Sequence, residues 1–285
     1  MIPTYNLKRL LQPKSIALFG GLWIENVANQ IKNSNFKGNV WPINPHRKSI
    51  AGYKCFQDIS DLPGVPDTAF IGVNRTKTLE ILTKLNEVGC GGATCFAAGF
   101  SEVDKYGKQL QKKLSKASKD MPFLGPNYYG YINYLDHIHM WPDQHGGKEV
   151  EKGVAIIAQS SNIAINLTMN TRSTPIAYVL TTGNQAKIDM SDLGLAMIND
   201  KRVTAIGIYI EGFKDIKKFE KMAFSALRSN IPIVVLKSGK TDLSKKQSFS
   251  HTASITGDSD ISSAFLKRLG IVEVDDLELF LETLK

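Results

Sequence analysis

The sequence is poor in the features that mark several large classes of protein. It holds three cysteines, Cys55, Cys90 and Cys95, in 285 residues. An odd count without a secretory leader argues against a disulfide scaffold and for free thiols. No stretch approaches the roughly 18 to 20 consecutive apolar residues that a membrane span needs. The opening MIPTYNLKRLLQPKS also lacks the apolar segment and small-residue cleavage site of a signal peptide. The expectation is a cytoplasmic protein with no membrane attachment. Low-complexity tracts and a fixed sequence period are both absent, so no internal repeat is expected.

What is present is ordinary for a soluble globular chain: 42% apolar and 22% charged residues. At roughly 100 to 200 residues per domain, the length predicts two compact domains, or one unusually large one. The net charge of +8 is uneven, with 17 basic and 11 acidic side chains in residues 1–147 and 18 against 16 in residues 148–285. No dense basic block occurs, so nucleic acid is not the expected partner. The excess in the first half is either a solvated face or a surface suited to a small polyanion.

Short apolar runs bounded by Gly, Pro or Asn alternate with segments of helical spacing, which predicts βα units. In the first half the predicted strands are Ser15 to Gly20, Asn39 to Ile43, Asp67 to Val73, Gly92 to Phe96 and Pro122 to Leu124, with helices at Ile24 to Asn33, Thr76 to Val88 and Ser101 to Ser118. The second half repeats the rhythm, with strands near Gly153 to Ala158, Ile176 to Thr181, Thr204 to Ile210, Pro232 to Lys237 and Ile271 to Val274. Its helices are predicted at Asn162 to Asn170, Ser191 to Asn199, Lys214 to Ser229, Asp258 to Leu269 and Asp275 to Leu284. Near-continuously apolar strands are buried on both faces, as in parallel sheets. The polar stretch Pro142 to Lys152, with two adjacent glycines, separates the halves. The fold class is therefore α/β, with domains at residues 1–145 and 146–285.

Ligands of parallel α/β sheets bind beyond the carboxyl ends of the strands. The first such loop, Gly20-Gly21-Leu22-Trp23, offers two glycines for close backbone approach and a helix start suited to a phosphate. The Gly-x-Gly-x-x-Gly fingerprint is absent, and Asn44-Pro45 stands where an acidic residue would end the second strand, so NAD is disfavoured. Val73-Asn74-Arg75, Ala98-Gly99-Phe100 and Gly125-Pro126-Asn127 follow later strands. Each is a tight turn in a plain structural reading and a ligand loop in a functional one.

In the second half, Gln159-Ser160-Ser161-Asn162 is either a helix cap or an anion site. His251 lies in the small, polar run Ser250-His251-Thr252-Ala253-Ser254-Ile255-Thr256-Gly257. A lone loop histidine is usually inert. A neutral imidazole is nevertheless a good nucleophile for phosphoryl transfer when a carboxylate orients it, and Glu211, ending the strand Thr204 to Ile210, would project at the same sheet edge.

Other constellations carry less. His137, His139 and His145 have no accompanying Cys or fixed carboxylate pattern, so no metal site is expected. Cys90 and Cys95 fall outside the usual zinc or redox spacing. Ser160 lacks both glycines of a Gly-x-Ser-x-Gly elbow.

Taken in order, Leu10-Leu11-Gln12-Pro13-Lys14-Ser15-Ile16-Ala17, Asn44-Pro45, Ala98-Gly99-Phe100, Gly125-Pro126-Asn127, Tyr209-Ile210-Glu211-Gly212, Leu236-Lys237-Ser238-Gly239 and Ser250-His251-Thr252 resemble the NDP-forming acyl-CoA synthetases. This is the family of the succinyl-CoA synthetase α-subunit and the ADP-forming acetate–CoA ligases. The resemblance spans nearly the whole chain. It implies a Rossmann-like CoA-binding domain followed by a flavodoxin-like, parallel-sheet phosphohistidine domain, assembled as an oligomer.

By that resemblance His251 is the phosphorylated histidine and Glu211 the carboxylate that orients it. Ser160, Ser161, Asn162 and Thr252 hold the phosphoryl group, while Gly20, Gly21, Asn44, Arg75, Gly99, Phe100 and Asn127 hold CoA. The implied reaction joins a small carboxylic acid to CoA at the expense of ATP, through phosphohistidine and an acyl phosphate. Two departures stand out. Gln159-Ser160-Ser161-Asn162 replaces the family's Gln-Ser-Gly-Ala, and Tyr128-Tyr129 replaces Cys-Leu after Gly125-Pro126-Asn127. Neither an ATP-grasp domain nor a Gly-x-x-x-x-Gly-Lys-Ser/Thr loop is present, so ATP and Mg are expected on an ATP-grasp subunit or on a further domain of a fused synthetase. The alternative is a non-catalytic CoA or nucleotide sensor that retains the fold.

Overall fold

Apolar runs too short for helices become strands, and amphipathic segments between them become the helices that cover the sheets. The computed structural model describes residues 6–170, 172–238 and 259–285. They fall into two compact units, Tyr5–Gln144 with Gly183–Ile188, and His145–Thr182 with Asp189–Lys285.

The first unit runs α1(Lys8–Leu11), β1(Ser15–Gly20), α2(Leu22–Asn33), β2(Asn39–Ile43), a hairpin of β3(Ser49–Ile50) and β4(Tyr53–Lys54), β5(Thr68–Gly72), α3(Arg75–Glu87), β6(Ala93–Cys95), α4(Lys105–Ala117) and β7(Phe123–Leu124). Helix α2 shows why it forms where it does. Its buried residues Ile24, Val27, Ala28 and Ile31 recur at i, i+3, i+4 and i+7, the stripe of a helix laid on a sheet. Helices α3 and α4 start at Asn74 and Asp104, whose side chains accept from Lys77 N and Gly107 N. The strands pair in parallel in the order β2-β1-β5-β6-β7. Leaving out the hairpin, this is the doubly wound order 2-1-3-4-5, which reverses between β1 and β5. Phe19, Ile71, Leu82, Leu85, Leu114 and Phe123 fill one core layer.

Two elements escape sequence reading. One is the antiparallel pair β8(Tyr131–Asn133) and β9(Ile138–Met140), each of three residues, all buried. The Asn133 side chain turns the connection by accepting from Leu135 N and Asp136 N. The other is Gly183–Ile188, where Asn184 N and Ala186 N donate to Pro126 O and Gly125 O, both at 2.9 Å.

The second unit runs β10(Gly153–Ala158), α5(Ser161–Thr168), β11(Ile176–Thr181), α6(Met190–Ile198), β12(Val203–Ile210), α7(Ile216–Arg228), β13(Ile233–Lys237), α8(Ser259–Arg268), β14(Val272–Val274) and α9(Leu277–Leu284). These strands also pair in parallel, in the order β14-β13-β12-β10-β11. Counted from β10 this is again 2-1-3-4-5, with the reversal between β10 and β12. Helix α6 opens with a reciprocal capping box between Asp189 and Asp192. Lys218 of α7 reaches both carboxylates, at 3.0 Å from Asp189 Oδ2 and 2.5 Å from Asp192 Oδ2, with all three residues buried.

The expected α/β class, a Rossmann-like unit followed by a flavodoxin-like one, is the observed fold. Among the described residues no helix is long and apolar enough to cross a membrane.

Candidate functional site

In a doubly wound sheet the crevice opens where the strand order reverses. In the first unit that point is bordered by Gly20 and Gly72, register partners at the ends of β1 and β5. Gly20 has φ +141°, and a Cβ there would stand 2.6 Å from Gly72 O, so only glycine fits. Beside it lies a cavity of about 410 Å³. Gly20, Gly21, Asn44, Pro45, His46, Gly72 and Val73 line its strand-end wall, Ile59 and Ile81 its apolar side, and Lys77 and Lys84 of α3 its basic side.

The Asn44 side chain is fully engaged in shaping this wall, donating to Gly20 O at 2.7 Å and accepting from His46 N at 2.9 Å. Lys84 Nζ pairs with Asp58 Oδ2 at 3.0 Å, and this hydrogen bond, more than the lysine's charge, lowers the Asp58 pKa. Backbone access, apolar walls and ammonium groups are the donor set that an adenine nucleotide with several phosphates requires. Of the seven residues expected to hold CoA, three meet here: Gly20, Gly21 and Asn44.

The other four form a separate cluster at the ends of β6 and β7. Arg75 Nη1 donates to Gly99 O at 2.5 Å, and its guanidinium lies 5.0 Å from the Tyr106 ring centroid. Glu102 Oε1 accepts from Gly99 N at 2.6 Å and Phe100 N at 3.1 Å. The Phe100 ring is 0% exposed and belongs to the core. Asn127, at φ +54°, is fixed by its own N–H to Ala97 O at 2.9 Å. Asn184 Nδ2 donates to Glu102 Oε2 at 2.5 Å and Gln111 Oε1 at 3.0 Å, which ties the cluster to the Gly183–Ile188 segment.

In the second unit the reversal lies between β10 and β12, whose next residues are Gln159 and Glu211. Gln159 Oε1 accepts from Glu211 N and from Gly212 N, the latter at 3.0 Å, and Gln159 Nε2 donates to Gly212 O at 3.0 Å. Its backbone N–H donates to Tyr209 O at 3.1 Å. The glutamine thus clamps the peptide that carries Glu211, a part that sequence reading did not assign because the partners lie 52 residues apart. Ser160 is the cap of α5, its Oγ accepting from Ile163 N at 3.4 Å, and Ser161 and Asn162 form the first turn. His251 and Thr252 lie outside the described residues.

The histidines weighed as metal ligands are placed by packing. His137 Nδ1 lies 3.0 Å from Ser34 O, and the buried His139 stands edge-on to Tyr134 with centroids 5.4 Å apart. Among the described residues no group of three His, Cys, Asp or Glu side chains is arranged to hold a metal. Cys90 and Cys95 are buried free thiols; burial pushes Cys90 up to about 11 and Cys95 higher still, so neither is a thiolate near neutral pH.

Comparison with known proteins agrees with this architecture. Residues 14–130 match a CoA binding domain, and residues 151–285 match a succinyl-CoA ligase like flavodoxin domain. The ADP-forming acetate–CoA ligase of Methanocaldococcus jannaschii is 33% identical over 96% of this chain and 39% of its own length. The subunit alpha of the ADP-forming acetate–CoA ligase II of Pyrococcus furiosus is 28% identical over 95% of this chain and 60% of its own. A solved structure, the dinucleotide-forming acetyl-coenzyme A synthetase 1 of Ca. Korarchaeum cryptofilum in complex with phosphate and ADP, has a TM-score of 0.86 at 30% identity, covering 97% of this chain and 61% of that one. The chain therefore spans about 40 to 60% of the length of these relatives. With both halves matched in the same order, the chain carries a CoA binding domain followed by a succinyl-CoA ligase like flavodoxin domain, and over nearly its whole length it is similar to part of the ADP-forming acetate–CoA ligases.

Proposed function

We infer that the chain is the CoA-binding and phosphohistidine portion of an NDP-forming acyl-CoA synthetase, acting with an ATP-grasp subunit or domain. The observation that carries this reading is the pair of switch points. One is a glycine-walled crevice with lysines on its rim, and the other presents Glu211 on a peptide clamped by Gln159.

In this reading the crevice bordered by Gly20, Gly21 and Asn44 takes the adenine nucleotide end of CoA, with Lys77 and Lys84 opposing its phosphates. His251 accepts a phosphoryl group from ATP, whose Mg complex is held by the ATP-grasp part. A P–O bond to the nucleotide breaks, a P–N bond forms, and Glu211 orients the imidazole and takes its proton. The N–H groups at the start of α5, around Ser160, Ser161 and Asn162, offset the phosphoryl charge, with Thr252 beside it. A carboxylate oxygen of the acid then attacks phosphorus to give an acyl phosphate and frees the histidine. Attack of the CoA sulfur on the acyl carbon gives the thioester and releases phosphate.

The second transfer runs backwards without any partner, which supplies the test. Incubated with acetyl phosphate, the chain should gain one acid-labile phosphoryl mass on His251, and His251→Ala should abolish it. A phosphoryl mass that survives this substitution would sink the histidine assignment. In parallel, calorimetric titration should show CoA binding without NADH binding. CoA binding with no phosphoryl transfer from any donor would favour the sensor instead.

A further inference from the structure

Helix α4 gathers onto one face a charge that the linear sequence disperses. Lys105, Lys108, Lys112 and Lys116 stand at i, i+3, i+7 and i+11. At about 100° and 1.5 Å per residue they fall within an arc of about 80° and form a row about 16 Å long. Lys113 borders the row, and Lys119 follows two residues beyond the helix end. Gly107, Leu110 and Leu114 lie on the opposite face and are buried, so the row is turned to solvent, and all six lysines are exposed.

Nothing on the chain compensates this row. Among the described residues none of the six ammonium groups has an ion-pair or hydrogen-bond partner. The other surface helices mix their charges: Glu25 with Lys32 in α2, Glu80 and Glu87 with Lys77 and Lys84 in α3, Glu220 with Lys217 and Lys221 in α7, Asp260 with Lys267 and Arg268 in α8. Helix α4 holds no acidic residue. Lys105/Lys108, Lys108/Lys112, Lys112/Lys116 and Lys113/Lys116 are like-charge neighbours at i+3 or i+4, which destabilise a helix. Lys105 also sits in the first turn, at the positive end of the helix dipole. A row that opposes both local rules is satisfied by an external anion rather than by its own fold.

We propose that the lysine face of α4 docks the protein on a bilayer surface carrying anionic headgroups. Charge complementarity gives the sign of the partner, and the residue types give its kind. All six cations are Lys, a hydrated point charge, whereas protein interfaces deplete Lys and favour Arg. The one aromatic ring of the helix, Tyr106, has the Arg75 guanidinium over it at 5.0 Å, so the row has no open stacking platform for single-stranded nucleic acid. With Leu110 and Leu114 packed on the sheet, α4 is a ridge and not a free helix able to enter a DNA groove. A ridge of ammonium groups meets a flat anionic surface along its whole length, and each lysine there strengthens binding about fivefold. The expectation of no membrane attachment rested on missing spans and leaders, and adsorption of this kind needs neither. The proposal is independent of the CoA reading.

The test is co-sedimentation of the purified chain with vesicles of phosphatidylglycerol and phosphatidylcholine in equal parts, against vesicles of phosphatidylcholine alone. The chain should bind the first and not the second, and lose that binding in about 1 M salt, where charges are screened beyond about 3 Å. The triple substitution Lys108→Gln, Lys112→Gln, Lys116→Gln should weaken binding about a hundredfold, with thermal unfolding and CoA affinity unchanged, while Arg at the same three positions should retain it. Lys201→Gln, Lys217→Gln, Lys221→Gln removes the same net charge elsewhere and should leave binding intact. An equal loss in that control overturns the proposal, since net charge alone would then explain adsorption. Binding to neutral vesicles, no binding to anionic ones, or an unchanged α4 triple variant overturns it as well. So does tighter binding of a mixed-sequence RNA or DNA than of anionic vesicles, which would assign the row to nucleic acid. Should the Gln variant prove unfolded, the Arg variant and the salt dependence of the unsubstituted chain decide.

Discussion

The two units share one strand order and use it in opposite ways. At the reversal in the first unit, Gly20 and Gly72 withdraw side chains altogether, and the space between β2, β1 and β5 is left to a ligand. In the second unit the equivalent position is filled from within, Gln159 hydrogen-bonding the peptide of Glu211 and Gly212. The first arrangement suits binding a large nucleotide by its backbone contacts. The second suits holding one carboxylate in a fixed place. A common topology therefore says where chemistry sits and leaves its kind to a few residues at two strand ends.

The comparison can be broken at its support first. Lys218→Met removes the cation hydrogen-bonded to Asp189 and Asp192 and leaves two buried carboxylates with only the longer-range charge of Lys214, where breaking a buried pair typically costs about 3 to 5 kcal/mol. Urea unfolding should show that loss, with CoA affinity of the folded protein unchanged. Burial pulls the Lys218 ammonium down, but hydrogen bonds to Asp192 and Asp189 more than offset it, so its pKa stands above the ordinary lysine value. A raised pKa contributes stability that is fully present below the unfolded value of about 10.4 and lost as pH rises through the folded one. The unsubstituted chain should accordingly lose stability above about pH 10.4 by an amount that Lys218→Met does not show.

Gly20→Ala should act on the other side of the comparison. A methyl group 2.6 Å from Gly72 O, at φ +141°, forces the β1 end to move. Overpacking of this kind costs about 1 to 3 kcal/mol, and CoA affinity should fall about tenfold or more while phosphoryl transfer from acetyl phosphate persists. Gln159→Leu should do the reverse. It leaves the Glu211 and Gly212 N–H groups without their acceptor, worth about 1 to 3 kcal/mol, and single-turnover phosphorylation should slow about tenfold or more with CoA binding intact; Gln159→Glu, which retains an acceptor, should recover part of the rate. The smallest effect belongs to Asn44→Ala, which removes a loop hydrogen bond worth about 0.5 to 1.5 kcal/mol and should weaken CoA by less than about tenfold. If Gly20→Ala and Gln159→Leu each impaired both activities equally, the division of labour between the switch points would be wrong.

Most of the fold was legible because buried parallel strands such as Ser15–Gly20 and Gly153–Ala158 are continuous apolar runs that nothing but a strand of that length explains. Strands β8 and β9 were not, since three residues are too few to establish a period. Strand order was not legible either, because it depends on pairings across the chain. At the candidate site, Gly20, Gly21 and Asn44 stand at strand ends where a loop is visible in the sequence, and they line the crevice, whereas Lys77, Lys84 and Ile81 sit inside helix α3 and carry no local sign of facing a cavity. Phe100 shows the limit of loop reading: the chain turns back after Gly99 and buries the ring. Gln159 was visible as part of a turn, and its partner was not.

The Gly183–Ile188 segment bears on how this protein can be divided in the laboratory. A fragment cut within the polar stretch at residues 142–152 would remove the donors that Asn184 and Ala186 bring to Pro126 and Gly125. It would also remove the amide that holds Glu102 beside Gly99. A stand-alone CoA-binding fragment would need those six residues grafted back, by a circular rearrangement or a supplied peptide, because the gene does not store the first unit as one uninterrupted text.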